Sequence, residues 1–160
     1  MSFADLLQTE TESLGFTLSG VAPVVTPPHF DTYRGWVAAG RHAGMAYMAS
    51  ENGIERRAHP ELIFPEAMSL LVVALPYANP MSIPDGPPGE ALGRIAAYAW
   101  GDDYHDVIPP RLEALIRRLE KYLGRALSAR HYTDTGPILE RDFAQLAGLG
   151  WIGKNTCLIS

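Results

Sequence analysis

The run His131-Tyr132-Thr133-Asp134-Thr135-Gly136-Pro137 puts a carboxylate in a turn beside a glycine and a proline. The residues before it read as a strand and Pro137 opens a helix; ligands of α/β proteins often sit at such strand-to-helix turns. An aspartate there can face a cleft. Partly buried, its pKa would rise and it could deliver a proton near neutral pH. The plainer reading, and the commoner one for such a pattern, is that Asp134 or Thr135 only forms the turn or caps the helix. With Pro137 first in the helix, Gly136 takes the N-cap and Asp134 lies slightly early for that job. Arg141, one helical turn on, could reach back to Asp134 or to an acidic ligand group. Its ordinary alternative is a surface ion pair with Glu140 or Asp142.

Gly148-Leu-Gly-Trp-Ile-Gly-Lys-Asn155 is the next candidate. It formally contains GxGxxG and nearly matches the Walker loop, but both loops follow a strand and open a helix, whereas this one follows a helix and opens a strand. Asn155 also lacks the hydroxyl that holds magnesium. Glycines still let backbone amides approach a ligand, and Lys154 adds a positive charge. A helix C-cap and tight turn would use the same residues. Asp102-Asp103-Tyr104-His105-Asp106 invites a metal reading, yet its spacing matches no dedicated metal loop, so a polar loop is the better account. Tyr104 and His105 remain useful hydrogen-bond or proton partners. Arg56-Arg57 could grip a carboxamide or phosphate, although such pairs are more often a solvated helix end. Arg117, Lys121 and Arg125 form a helical stripe, by default solvated, that could meet an RNA backbone.

These residues need elements to position them. Ser2 to Leu14 reads as a helix capped by Ser2 and ended by Gly15. Phe16 to Val21 reads as a strand. Phe30 to Ala39 and Met45 to Arg57 read as short helices. The solid apolar run Ser69 to Leu75 predicts a strand buried on both faces. Residues 76–89 hold five prolines and two glycines and predict a long loop. Arg94 to Trp100 reads as a strand, and Pro109 to Leu127 as the clearest helix, with its prolines in the first turn. A strand over Ala129 to Thr133, a helix over Pro137 to Ala147 and a strand from Thr156 to Ser160 follow. Interleaved helices and strands give an α/β fold of the α+β type, a sheet covered by helices.

Composition bounds the rest. The 160 residues suit one domain with a sizeable core. No stretch is apolar for the roughly 18 residues that a membrane span needs. The acidic, amphipathic N-terminus does not resemble a secretory signal, so a cytoplasmic protein is expected; a monomer is expected too. Cys157 is the single cysteine, which allows no internal disulfide and no four-cysteine cluster. Residues 1–110 carry five arginines against 13 acids, a net −8, while residues 111–160 carry eight cations against five acids, a net +3. Overall acidity argues against a general nucleic-acid coat, and the basic C-terminal part leaves room for a local polyanion site.

Taken together, three stretches carry a resemblance. Ala97-Tyr-Ala-Trp-Gly-Asp-Asp-Tyr-His-Asp-Val107, Tyr132-Thr-Asp-Thr-Gly-Pro-Ile-Leu-Glu-Arg141 and Ala147-Gly-Leu-Gly-Trp-Ile-Gly-Lys-Asn-Thr156 resemble, in order and spacing, the epoxyqueuosine reductases. Gly15-Phe16, Gly20-Val21, Glu55-Arg-Arg57 and Ala67 to Tyr77 add a weaker likeness. The resemblance implies a corrinoid-binding, nitroreductase-like domain over residues 1–160, cut off before a ferredoxin-like iron–sulfur domain. It implies reduction of epoxyqueuosine to queuosine in tRNA with cobalamin and two [4Fe–4S] clusters, the clusters not ligated by this chain and no metal held within it. Asp134 is then the expected proton donor, with Thr135 beside it and Arg141 close by. Arg57, Tyr98, Tyr104 and His105 are expected at the cobalamin pocket, together with Trp151, Ile152, Gly153, Lys154 and Asn155. The pocket should open where residues 129–133 hand over to the next helix. Ala97 departs from the family, which usually has a basic residue there. By itself the chain is expected to bind corrinoid without turnover. A stand-alone corrinoid carrier and a flavin-dependent nitroreductase-like protein are the other readings.

Overall fold

A computed structural model describes residues 2–77, 93 and 95–160. Helix α1 (Phe3–Ser13) starts where the sequence says it should. The Ser2 hydroxyl accepts the Asp5 N–H at 3.1 Å, and the Asp5 carboxylate accepts the Ser2 N–H at 2.8 Å. This reciprocal pair satisfies two donors that a helix start leaves open. Leu6, Leu7 and Thr11 form its buried side. Gly15, at φ +87°, turns the chain into strand β1 (Leu18–Pro23).

β1 pairs antiparallel with β2 (Ser69–Ala74), from Leu18 opposite Ala74 to Pro23 opposite Ser69. Side chains alternate across this ribbon. On the Ser19–Val73 face, Val73 packs against Leu6 and Leu7 of α1 and against Leu115 and Leu119 of α4 (Tyr104–Leu123). On the Gly20 face lies α5 (Glu140–Leu146), which buries Phe143 and Ala144. A Cβ at Gly20 would stand 2.3 Å from the Ala147 carbonyl oxygen, so only glycine allows this approach. The fold is therefore α+β, a small sheet with helices on both faces. α2 (Phe30–Ala38) and α3 (Glu51–Ala58) lie between the two strands in sequence. The hairpin of β3 (Trp151–Ile152) and β4 (Leu158–Ile159) closes the chain.

Several expectations need correction. β2 is not buried on both faces: Ser69 and Leu71 are exposed and the rest is half-buried. Among the described residues its sheet has two strands, so little lies on either side to cover it. The strand expected at 94–100 is a 3-10 turn at Ala97–Ala99, with Arg94 outside the described residues. Residues 129–133 are irregular; Arg130 donates to the Ile63 carbonyl at 2.9 Å instead of the segment joining a sheet. Helix α4 begins five residues before Pro109 because Asp103 caps it, and Pro109 and Pro110 sit inside. Each proline forgoes a donor there, and the helix tolerates both. Gly124, left-handed at φ +65°, ends it. Pro137 does not open α5, whose first residue is Glu140. Gly136 is instead buried against the Tyr132 ring, where a Cβ would come within 2.7 Å. The proline-rich stretch 76–89 lies almost wholly outside the described residues.

Candidate active site

Helix α4 supplies the first part of the site through its start. Asp103 accepts the His105 N–H at 2.9 Å and His105 Nδ1 lies 2.8 Å from the same oxygen. These bonds, the backbone one first, hold the Asp103 carboxyl below the usual aspartate range. Asp103 thereby both caps the helix and fixes the imidazole. The Tyr104 and His105 rings lie side by side, with centroids 4.1 Å apart. A cavity of about 320 Å³ opens here, lined by Tyr98, Ala99 and the Gly101–His105 turn. That volume falls at the lower end of ordinary small-molecule sites.

The Asp134 turn supplies the second part. Tyr104 donates its phenolic O–H to Asp134 Oδ2 at 2.9 Å. This bond, ahead of burial and of the negative charge, pushes the phenol up to about 12, so it stays a donor at neutral pH. Asp134 stands at φ +60°, a left-handed conformation that costs a non-glycine residue energy but that aspartate tolerates. Its side chain is exposed. Asp134 is therefore not partly buried as the proton-donor reading expected, and it reaches the cavity through Tyr104 rather than lining it. The Asp134 N–H donates to Glu140 Oε1 at 2.8 Å. Glu140 keeps much of its surface toward solvent. Its carboxyl is nevertheless crowded enough that desolvation, chiefly, pushes its pKa up, against the hydrogen bond from the Asp134 amide. The surroundings of the carboxyl, not the exposure of the whole residue, set that direction.

The remaining candidates divide. Thr135 is exposed, its N–H turned to the Thr133 carbonyl at 2.7 Å. Arg141 does not reach back to Asp134; its guanidinium donates to the Thr156 carbonyl and ties α5 to the end of the glycine loop. Arg57 is turned inward, donating to the Gly53 carbonyl at 3.0 Å with its guanidinium 5.4 Å from the Tyr33 ring centre. It is buried and engaged, which corrects its placement at a ligand pocket. In the loop, Trp151 is 59% exposed and Lys154 is exposed, leaving an aromatic face and a cation available. Ile152 and Gly153 spend their N–H groups on Gln145 Oε1 and the Cys157 carbonyl, and Asn155 Oδ1 accepts the Cys157 N–H. The loop glycines answer to packing: a Cβ at Gly150 would lie 2.1 Å from the Ile159 carbonyl oxygen. On α4, Arg117 lies 3.6 Å from Glu113, which mutes the basic stripe.

Two residues escaped sequence reasoning. Glu140 looked like an ordinary helix-surface charge. Asp142 is buried and meets both the N–H and Nδ1 of His29, at 2.9 and 2.8 Å. An acid followed immediately by the apolar pair Phe143-Ala144 was the only signal for the second. Among the described residues, no group of three or more His, Cys, Asp or Glu could hold a metal ion, and no helix is long and apolar enough to cross a membrane.

Comparison with known proteins gives the chain its family. The family described as epoxyqueuosine reductase QueG, DUF1730, matches residues 57–135, about half of the chain. An epoxyqueuosine reductase of Synechocystis is 40% identical over 144 residues, covering 88% of this chain and 47% of its own length. The chain thus spans about half the length of the curated relatives it matches. An epoxyqueuosine reductase solved with a tRNA-Tyr epoxyqueuosine-modified stem loop superimposes with a TM-score of 0.79 at 27% identity, over 97% of this chain and 40% of that one. A Bacillus subtilis epoxyqueuosine reductase, solved with what its own numbering calls the Asp134 catalytic loop swung out of the active site, gives a TM-score of 0.79 at 27% identity, over 98% of this chain and 41% of that one. The motifs, the α+β fold and these matches place the chain in the epoxyqueuosine reductase family.

Proposed function

We propose that this chain is the corrinoid-binding part of an oxidoreductase that reduces epoxyqueuosine in tRNA to queuosine, with Asp134 as proton donor. The observation that carries the reading is the Tyr104–Asp134 hydrogen bond at the edge of the open cavity. It brings a carboxyl group to a cavity that a flat, amide-bearing ligand could enter. The relative bound to an epoxyqueuosine-modified stem loop supports tRNA as substrate. The relative named for its aspartate catalytic loop supports the role given to Asp134.

The residues present fit a corrinoid. Tyr98, 60% exposed at the cavity edge, offers an aromatic face, and the His105 ring and the Asp102 carboxylate offer partners for amide side arms. In the glycine loop, which does not line that cavity, Trp151 and Lys154 are exposed and would be free to meet a larger ligand. When bound, a reduced corrinoid supplies the electrons for removing the epoxide oxygen, and the protein supplies orientation and the proton. Asp134, in its protonated form, would give its proton to the oxygen as the strained ring opens, and would be left as the carboxylate that accepts from Tyr104. The residues present do not fit a [4Fe–4S] cluster, because the chain has one cysteine. Cluster ligands would lie outside residues 1–160, and they take no part in the steps described for this chain.

The test is Asp134→Asn in the intact protein. Cobalamin uptake, read from the visible spectrum, should persist, while epoxide reduction falls by about 10²–10⁴, the usual worth of a placed acid. Near-normal turnover would remove Asp134 from this role. Uptake of flavin in place of cobalamin would overturn the corrinoid reading.

A further inference from the structure

The turn around Asp134 is held from two sides. Tyr104, first residue of α4, grips the carboxylate at 2.9 Å. Glu140, first residue of α5, grips the backbone N–H at 2.8 Å. The turn between them contains neither helix nor strand. Asp134 departs from ordinary backbone geometry at φ +60°, so something outside the turn must compensate.

We propose that Glu140 is a positioning residue, which fixes the left-handed backbone of Asp134 and thereby aims the Asp134 carboxylate at Tyr104 and the cavity. This rests on the catalytic role given to Asp134 above. A carboxylate accepting a backbone N–H makes one of the stronger hydrogen bonds open to a protein. Its base is rigid, since the residues that follow, Asp142, Phe143 and Ala144, are all buried. The nearby charges are engaged elsewhere and leave Glu140 to the turn, with Asp142 taken up by His29 and Arg141 by the Thr156 carbonyl. The position also brings a second acid close to Asp134, which is unfavourable unless a donor offsets it, and the Asp134 N–H is that donor. Burial acts in the same setting by pushing the Glu140 pKa up. The bond from the Asp134 N–H acts the other way, favouring the charged carboxyl.

The experiment uses the intact protein with ¹⁵N-labelled aspartate. The Asp134 amide proton should move as Glu140 titrates, and Glu140→Gln should abolish that movement. Glu140→Ala should speed exchange of the Asp134 amide by about tenfold or more while core amides in α1 and α4 stay protected, a sign of local opening. It should also lower kcat on the order of 10- to 100-fold, the cost of a misplaced group, with KM and cobalamin uptake unchanged. Glu140→Gln, which keeps the acceptor oxygen, should restore much of kcat. An Asp134 amide indifferent to Glu140 titration overturns the proposal, and needs no variant to fold. Unchanged amide exchange in Glu140→Ala overturns it as well. If Asp134→Asn leaves turnover intact while these amide effects appear, the function proposed for Asp134 fails and the Glu140 contact stands.

Discussion

Tyr104 joins α4 to the Asp134 turn through a single proton. Its folded pKa of about 12 exceeds the ordinary tyrosine value, and the hydrogen bond to Asp134 is the main cause. A group raised in this way stabilises the fold fully below its unfolded pKa of about 10, and loses that contribution as pH rises toward the folded value. Ultraviolet titration of the tyrosines should therefore show late-ionising phenols, Tyr33 among them because burial also pushes its pKa up, and Tyr104→Phe should diminish that late component. If the late component is undiminished in the variant, the bond is not what raises the Tyr104 pKa. At this scale the sequence was informative about residue type and poor about surroundings. Asp134 stood out in a turn beside a glycine and a proline, and Tyr104 and His105 among carboxylates that invite a metal reading. Arg57 did not announce that it would turn inward against Tyr33, because an arginine at a helix end looks the same solvated or buried. Glu140 was hidden for the converse reason: its importance comes from a backbone N–H six residues earlier, and no side-chain pattern encodes that.

Among the elements, those specified by local chemistry were legible. Ser2 and Asp5 wrote the start of α1, and the leucine spacing wrote the body of α4. Short apolar runs without such marks were not. Arg94–Trp100 and Ala129–Thr133 looked like strands, yet a strand needs a partner that no short segment can reveal. β2 was recognised but given too much cover, because an apolar run reports hydrophobicity and not how many neighbours share the sheet. The contact between β1 and α5 shows what sequence leaves out. Gly20 reads as an ordinary strand glycine, but its missing Cβ lets the Ala147 carbonyl rest on the sheet. Gly20→Ala should force the two apart, at about 1–3 kcal/mol, the usual range for overpacking. A lowered Tm, with faster amide exchange in α5 than in α1, would report it. A melting curve matching the parent would mean that α5 shifts freely, and that it is a poor base for Glu140.

At the scale of the whole molecule, the first residues of α4 and α5 are linked through the Asp134 turn, and the core lies on the helix faces behind them. Leu6, Leu7, Leu115 and Leu119 join α1 to α4, while Phe143 and Ala144 hold α5 against the other face of the sheet. The cavity proposed above for a corrinoid is lined by residues of the 98–105 stretch. A cluster site does not belong to this chain, since one thiol cannot supply a four-cysteine set. That thiol, Cys157, is exposed, and its backbone serves the turn: its carbonyl accepts the Gly153 N–H at 2.9 Å and its N–H donates to Asn155 Oδ1 at 3.2 Å. The side chain carries neither bond. Cys157→Ser in the intact protein should therefore keep the hairpin, the corrinoid and the full complement of iron and sulfide. Loss of iron on that substitution would make Cys157 a cluster ligand.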